Sequence, residues 1–505
     1  MRTRPIAALA IALCLSLATP FETRTRAEGR PAYGGALIGS LLGEPASLDP
    51  AAARTYAEIS AVGLIFDTLY RVGADGAIVP HLAAAVPQLA ADGLHATIAL
   101  RPGVRFHDSQ PLTARDVASS LERVTRSDAG WLLAPVAQID VPATGDAVVI
   151  TLRAPTPDLA TLLAQPQTAI TPLGSAPRGK SVIGSGPYRV VALDRKKQRL
   201  SLRAYDDHFA GRPYVDELEL RWYPGADDEA RRYEAGETQW SLRGPAAFAG
   251  HQPKYATDAL ESPANVLVYV GFGRAHAQAL ASVDLRAALW LALARSGFSA
   301  VGTGERVEVA TDPVPVGLGG TAVDGVARTG DLDAAHAALV KAGRSVGALA
   351  PQALGALRLA VLVDQSRADD REVAERVVRA LDKLGIAAAI SAVDAPTLAD
   401  RVARGDLDLY VGQLPVVTAA PAIAWAAAFE AGGDPWARRA LARGSIDPAQ
   451  AKAQFARALP IVPLYFRAVR VHHRSDLRGL AFDGIARLGL ADLFVFGLPT
   501  RAGHR

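Results

Sequence analysis

Gly34-Gly35-Ala36-Leu37-Ile38-Gly39-Ser40 leads into Glu44-Pro45-Ala46-Ser47-Leu48-Asp49-Pro50, close behind an apolar N-terminal stretch. The first half reads as a short buried strand and the second as a turn punctuated by two prolines. Asp49 stands where its carboxylate can bond local backbone ahead of Pro50. Residues 1–27 read as a secretory leader: Arg2 and Arg4 supply the basic start, and Ile6 to Ala18 an apolar run too short to span a bilayer. Cleavage fits after Ala18 or after Ala27. The chain is therefore expected to be exported and to begin its fold at this strand.

A length of 505 residues is too great for one core, and roughly 150 residues per domain predicts about three folding units. The net charge of +3 is small and gives no reason to expect nucleic acid or an anionic membrane as partner. Cys14, the only cysteine, lies in the leader. The mature chain then has no disulfide, thiolate nucleophile or cysteine metal site.

Further along, Leu94, Ala96, Ile98 and Leu100 alternate before an Arg101-Pro102-Gly103 turn. Thr113-Ala114-Arg115-Asp116 is a capping box, with Val117, Leu121 and Val124 on one face of the helix it starts. The stretch 180–223 is β-rich. From about residue 284 helices and α/β units take over. Leu285–Leu293 is an apolar helix, Leu357–Val363 a strand, and Asp369–Leu384 an amphipathic helix stopped by Gly385. Ile386–Val393 follows as a strand, Thr397 is expected to cap a short helix, and Leu407, Leu409 and Val411 mark a third strand. This order predicts a mixed or parallel sheet covered by helices.

Five ordered motifs carry a resemblance. They are the opening segment; Ile65-Phe66-Asp67-Thr68-Leu69-Tyr70 with Ile78-Val79-Pro80-His81-Leu82-Ala83; Leu100 to Asp108 with Pro111 to Val117; Gly184-Ser185-Gly186-Pro187-Tyr188 with Gly211 to Leu218; and Pro460-Ile461-Val462-Pro463-Leu464-Tyr465. Together they resemble the family 5 extracellular solute-binding proteins, the peptide, dipeptide and nickel receptors of ABC importers. The resemblance implies an α/β, two-lobed periplasmic-binding-protein fold (type II) with an extra inserted domain, mixed sheets flanked by helices and a two-strand hinge. Domain I would comprise 28–57, 180–265 and 468–505, domain II 58–179 and domain III 266–467. Crossing strands near residues 265 and 467 would act as hinges.

The same resemblance implies a peptide or related small solute as ligand, delivered to ABC permease subunits by a periplasmic or extracellular monomer, with no cofactor and no catalysis. Peptide receptors of the family place a carboxylate on the loop after a strand like Leu409-Tyr410-Val411-Gly412. Here Gln413 to Pro421 contains no Asp or Glu, so a ligand ammonium would need another partner. Candidate ligand contacts are Glu44, Trp240, Arg243, Tyr269, Phe272, Gln413, Leu414 and Trp425. Rings would supply area, and Arg243 a fork for a ligand carboxylate. Core packing is the competing reading for the two tryptophans.

His107-Asp108 sits in a turn and reads as structural. His472-His473, adjacent on a strand, point to opposite faces, so no metal site is expected. A secreted hydrolase finds no Gly-x-Ser-x-Gly elbow, His-Glu-x-x-His pair or phosphate loop. A degenerate member serving as a sensor or interaction module is the other alternative to transport, motivated by the missing acid.

Overall fold

The computed structural model describes residues 31–496 apart from 74, 176, 178–181, 243–253, 255, 296–297, 299–306, 321–329, 346–356, 417–419 and 484–486. The expected leader and Arg243 therefore lie outside the described residues.

The opening strand, Ala36–Ser40, sits inside a seven-stranded sheet. It runs parallel to Glu217–Arg221 on one side and meets Trp240–Ser241 on the other. Gly39 is required there: a Cβ would come within 1.9 Å of the Trp240 ring. Asp49 accepts from the amide of Ala51, as its place before Pro50 predicts, and also from Arg123 Nη1 at 2.6 Å.

A six-stranded sheet follows the order Val307–Val309, Val462–Arg467, Val266–Phe272, Leu409–Pro415, Arg358–Asp364, Ala387–Val393. Arg358–Asp364 pairs in parallel with both of its neighbours, as strands joined by helical crossovers do. Both faces are covered. Val268, Val270, Val361, Val363, Leu409 and Val411 pack beneath helix Ala368–Lys383, whereas Leu267, Tyr269, Leu362 and Tyr410 join Trp425, Phe429 and Phe455 on the other side. Burial on two faces explains why these strands are apolar throughout rather than alternating. Gly385 follows the helix at φ 73, a conformation cheap only for glycine. The helix Ala395–Arg404 is capped by Asp394, which accepts from the amide of Thr397. Thr397 is thus inside the helix rather than its cap, because the carboxylate three residues earlier reaches its N–H first.

The third unit is a four-stranded sheet of Gln88–Leu89, His95–Ala99, Ala147–Leu152 and Val136–Asp140, packed on helix Ala114–Thr125. Thr113 and Asp116 form the capping box in both directions. Thr55 and Glu58 form a second one at the start of helix Tyr56–Ile65.

The chain passes between the two larger sheets at 262–265 and again at 468–469. The two passages touch. The Ser262 amide donates to the Val469 carbonyl at 2.9 Å, and the Val469 amide donates to Ser262 Oγ at 2.8 Å.

Candidate functional site

A cavity of about 740 Å³ opens where the four-stranded and six-stranded units face each other. Arg126, Asp128 and Trp131 reach it from the first, and Tyr269, Phe272 and Tyr410 from the second. Helix Pro421–Ala431 spans the boundary, with Ile423 in the core of the four-stranded unit and Trp425 and Phe429 in that of the six-stranded one.

The floor follows from a sequence rule. In the antiparallel register of Val266–Phe272 with Leu409–Pro415, Tyr269 stands opposite Gly412 and Gly271 opposite Tyr410. A Cβ on either glycine would come within 2.2 Å of the facing tyrosine ring. Each ring therefore lies across the partner strand, and the rings meet edge to face with centroids 5.8 Å apart. The Tyr410 hydroxyl donates to the Ala431 carbonyl at 3.1 Å, which leaves the Tyr269 hydroxyl to donate to Tyr410 at 3.3 Å. Burial pushes both phenol pKa values up, so both remain neutral donors.

Phe272 continues this wall with the Arg286 guanidinium 4.6 Å above its ring. Arg286 Nε donates to the Leu280 carbonyl at 2.6 Å and Nη1 to the Leu459 carbonyl at 3.3 Å. Burial lowers its pKa from the usual arginine value. Arg274 is fixed by Nη2 on the Arg404 carbonyl at 2.9 Å, and a Cβ on Gly405 would strike its Nε at 2.4 Å. Two other cavity arginines are neutralised: Arg54 by Asp128, and Arg438 by Glu430 in a fork of 2.7 and 3.3 Å.

Of the residues expected from sequence, Tyr269, Phe272, Gln413 and Leu414 line this cavity. The Gln413 amide is already engaged, donating from Nε2 to Asp370 Oδ1 at 3.1 Å. Asp370 belongs to a buried charge network with Arg367 at 2.8 Å, and burial, offset in part by that arginine, pushes its carboxyl up to about 6.

Other expected contacts sit elsewhere. Trp240 is fully buried in the seven-stranded core, its Nε1 donating to the Ser40 carbonyl at 3.1 Å, because it must cover Gly39. Trp425 packs against Phe455 with ring centroids 5.5 Å apart, while its neighbours Ala424 and Ala427 face the cavity. Glu44 pairs with Arg195, and its amide donates to Ser366 Oγ at 3.0 Å. It thus stands where the two larger units meet, outside the cavity lining. Tyr410, Trp131, Arg126, Arg274 and Arg286 were not anticipated. Tyr410 carried a signal, lying in register with Gly271; the arginines carried none.

The motif histidines are structural. His107 accepts from the Gly184 amide on Nδ1 and donates from Nε2 to the Gly186 carbonyl at 3.0 Å, fixing the Gly184-Ser185-Gly186 turn. Ser185 is completely buried and donates to Asp67 at 2.8 Å rather than to a histidine. His81 holds the other Asp67 oxygen at 2.8 Å. Burial works against ionisation of Asp67, but the imidazoles of His208, 3.8 Å away, and His81, hydrogen-bonded to it, outweigh burial and hold its carboxyl far below the usual range.

The family model for bacterial extracellular solute-binding proteins, family 5 (middle), matches residues 77–433, and the chain belongs to this family. Its two-lobed fold is that of periplasmic binding proteins. The dipeptide-binding protein of Pseudoalteromonas sp. SM9913, solved with Met-Leu, superposes with a TM-score of 0.76 at 16% identity, over 91% of this chain and all (100%) of that one. AgaA from A. tumefacien R10, solved with agropinic acid, gives 0.71 at 20% identity, over 90% and 98%. By sequence, the oligopeptide-binding protein AppA of Bacillus subtilis is 25% identical over 248 residues, 46% of this chain and 45% of that protein. The transcriptional regulator SgrR of Pectobacterium atrosepticum is 31% identical over 189 residues, 36% and 32% of the two chains. The chain thus spans less than half the length of these curated relatives. Among the described residues, no helix is long and apolar enough to cross a membrane.

Proposed function

We propose that the chain is the substrate-binding protein of an ABC importer, capturing a peptide or related small solute between its lobes and delivering it to the permease outside the cytoplasmic membrane. The observation that carries this reading is the cavity of about 740 Å³ between the four-stranded and six-stranded units, in a chain that passes between its two larger sheets at 262–265 and 468–469. A ligand touching both walls favours the closed arrangement by its differential affinity. We take 28–57, 180–265 and 468–505 as domain I, 58–179 as domain II and 266–467 as domain III. Tyr269, Phe272, Gln413 and Leu414 are the ligand wall we assign, with Arg243 an added contact.

The relatives support a solute in the peptide size range, and the leader-like composition of residues 1–27 supports export. An open cavity favours retained binding over a degenerate module with a filled cleft. Thermal-shift screening of the mature chain against peptides, opines, sugars and metal complexes tests the reading. A ligand at one hundred times its Kd should stabilise by about 2.7 kcal/mol. A flat response to every class would remove the proposal.

A further inference from the structure

The charges on the cavity wall are unequal. Five arginines line it (Arg54, Arg126, Arg274, Arg286 and Arg438) against two carboxylates, Asp128 and Glu430. Both carboxylates are consumed, one by Arg54 and one by Arg438. Arg126, Arg274 and Arg286 have no carboxylate within ion-pair distance among the described residues. Arg286 is held by two carbonyls and a phenyl face, which orient a guanidinium without neutralising it, and Asp434 acts on it only from beyond ion-pair distance. Arg126 comes from the four-stranded unit, at the end of helix Ala114–Thr125, and the other two come from the six-stranded unit. An oxyanion between the two walls is drawn to both, so the same contact that binds the solute also favours closure.

Resting on the solute-binding reading above, we propose that the solute is anionic, with a carboxylate or phosphate group held by Arg126, Arg274 and Arg286. A ligand ammonium finds no uncompensated carboxylate on the described part of this wall. The fork geometry of guanidinium suits either oxyanion.

The test is thermal shift and calorimetry on the mature protein with four probes: an N-acetyl dipeptide with free carboxylate, the same dipeptide capped at both ends, a free-amine dipeptide amide, and inorganic phosphate. The two anions should raise the melting temperature more than the neutral and cationic probes, with carboxylate or phosphate identified by which of the two acts. The double variant R126A/R274A changes exposed side chains and should melt as the parent does without ligand, yet bind the anion about tenfold or more weakly. R286K, which keeps the charge and loses the fork, should also weaken it. Equal or better binding of the neutral or cationic probe overturns the inference and leaves solute binding standing. Retained anion preference in R126A/R274A and R286K alike overturns it too. Silence from all four probes, followed by silence across the wider solute screen, removes the solute-binding reading and this inference with it.

Discussion

Tyr269 and Tyr410 lie edge to face on neighbouring antiparallel strands, each ring occupying the space above a glycine of the other strand. The cavity floor is therefore specified by four residues, two of which contribute by having no side chain. Gly412→Val should destabilise by about 1–3 kcal/mol, since the new Cβ collides with a ring rather than with a flexible tip. Urea denaturation measures this. Ligand affinity should fall as well, because the displaced ring enters the cavity.

Ser262 ties the two passages between the sheets together. Removing its hydroxyl leaves the buried Val469 amide without its acceptor, so Ser262→Ala should cost about 1–3 kcal/mol. Hydrogen exchange at Val469 should rise with it. A fully protected Val469 amide in the variant would show that the two passages are held together by other contacts.

Trp425→Ala separates core from site. It removes a buried ring that contacts Phe455 and should lose about 3–5 kcal/mol of stability. The affinity of the protein that remains folded should change little, as read by calorimetry below the melting temperature. A large loss of affinity with unchanged stability would return Trp425 to the cleft.

Acid should weaken the fold below about pH 6.5. Burial lowers His107 to about 4, so between 6.5 and 4 the unfolded chain binds a proton that the folded chain refuses. Stability from this group is complete above 6.5 and declines as pH falls toward 4, with a slope of up to about 1.4 kcal/mol per pH unit. His472, lowered to about 4 by burial, acts in the same direction. Asp370 opposes them. Its folded value of about 6 lies above the unfolded 3.8, so its contribution is lost as pH rises through that window. Denaturation midpoints of the parent and His107→Gln between pH 5 and 7.5 check the sign: the variant should show the shallower dependence.

Much of the scaffold was legible because it is written in local rules. The Asp49-Pro50 turn, the Thr113–Asp116 box, Gly385 after its helix and the strand-helix alternation from 357 to 411 each act within a few residues. The cleft was only half legible. Tyr269, Phe272, Gln413 and Leu414 follow from strand position, but Trp240 and Trp425 were ambiguous, since a tryptophan carries the same sequence mark in a core as in a pocket. Their burial depends on Gly39 and Phe455, which are distant in sequence or on another element. Arg286 sits on a helix whose apolar residues dominate its reading, and its role arises only when Phe272 and the Leu459 carbonyl are brought beside it.

A solute gripped between two lobes that move about the paired passages must bring those lobes together. Cys14 is the only cysteine and lies in the proposed leader, so spin labels on engineered cysteines at exposed Gln138 and Asp400 report one distance cleanly. Saturation with whichever solute stabilises the protein should shorten and narrow the distribution between the two labels. An unchanged distribution at saturation would show that the lobes do not close on a solute.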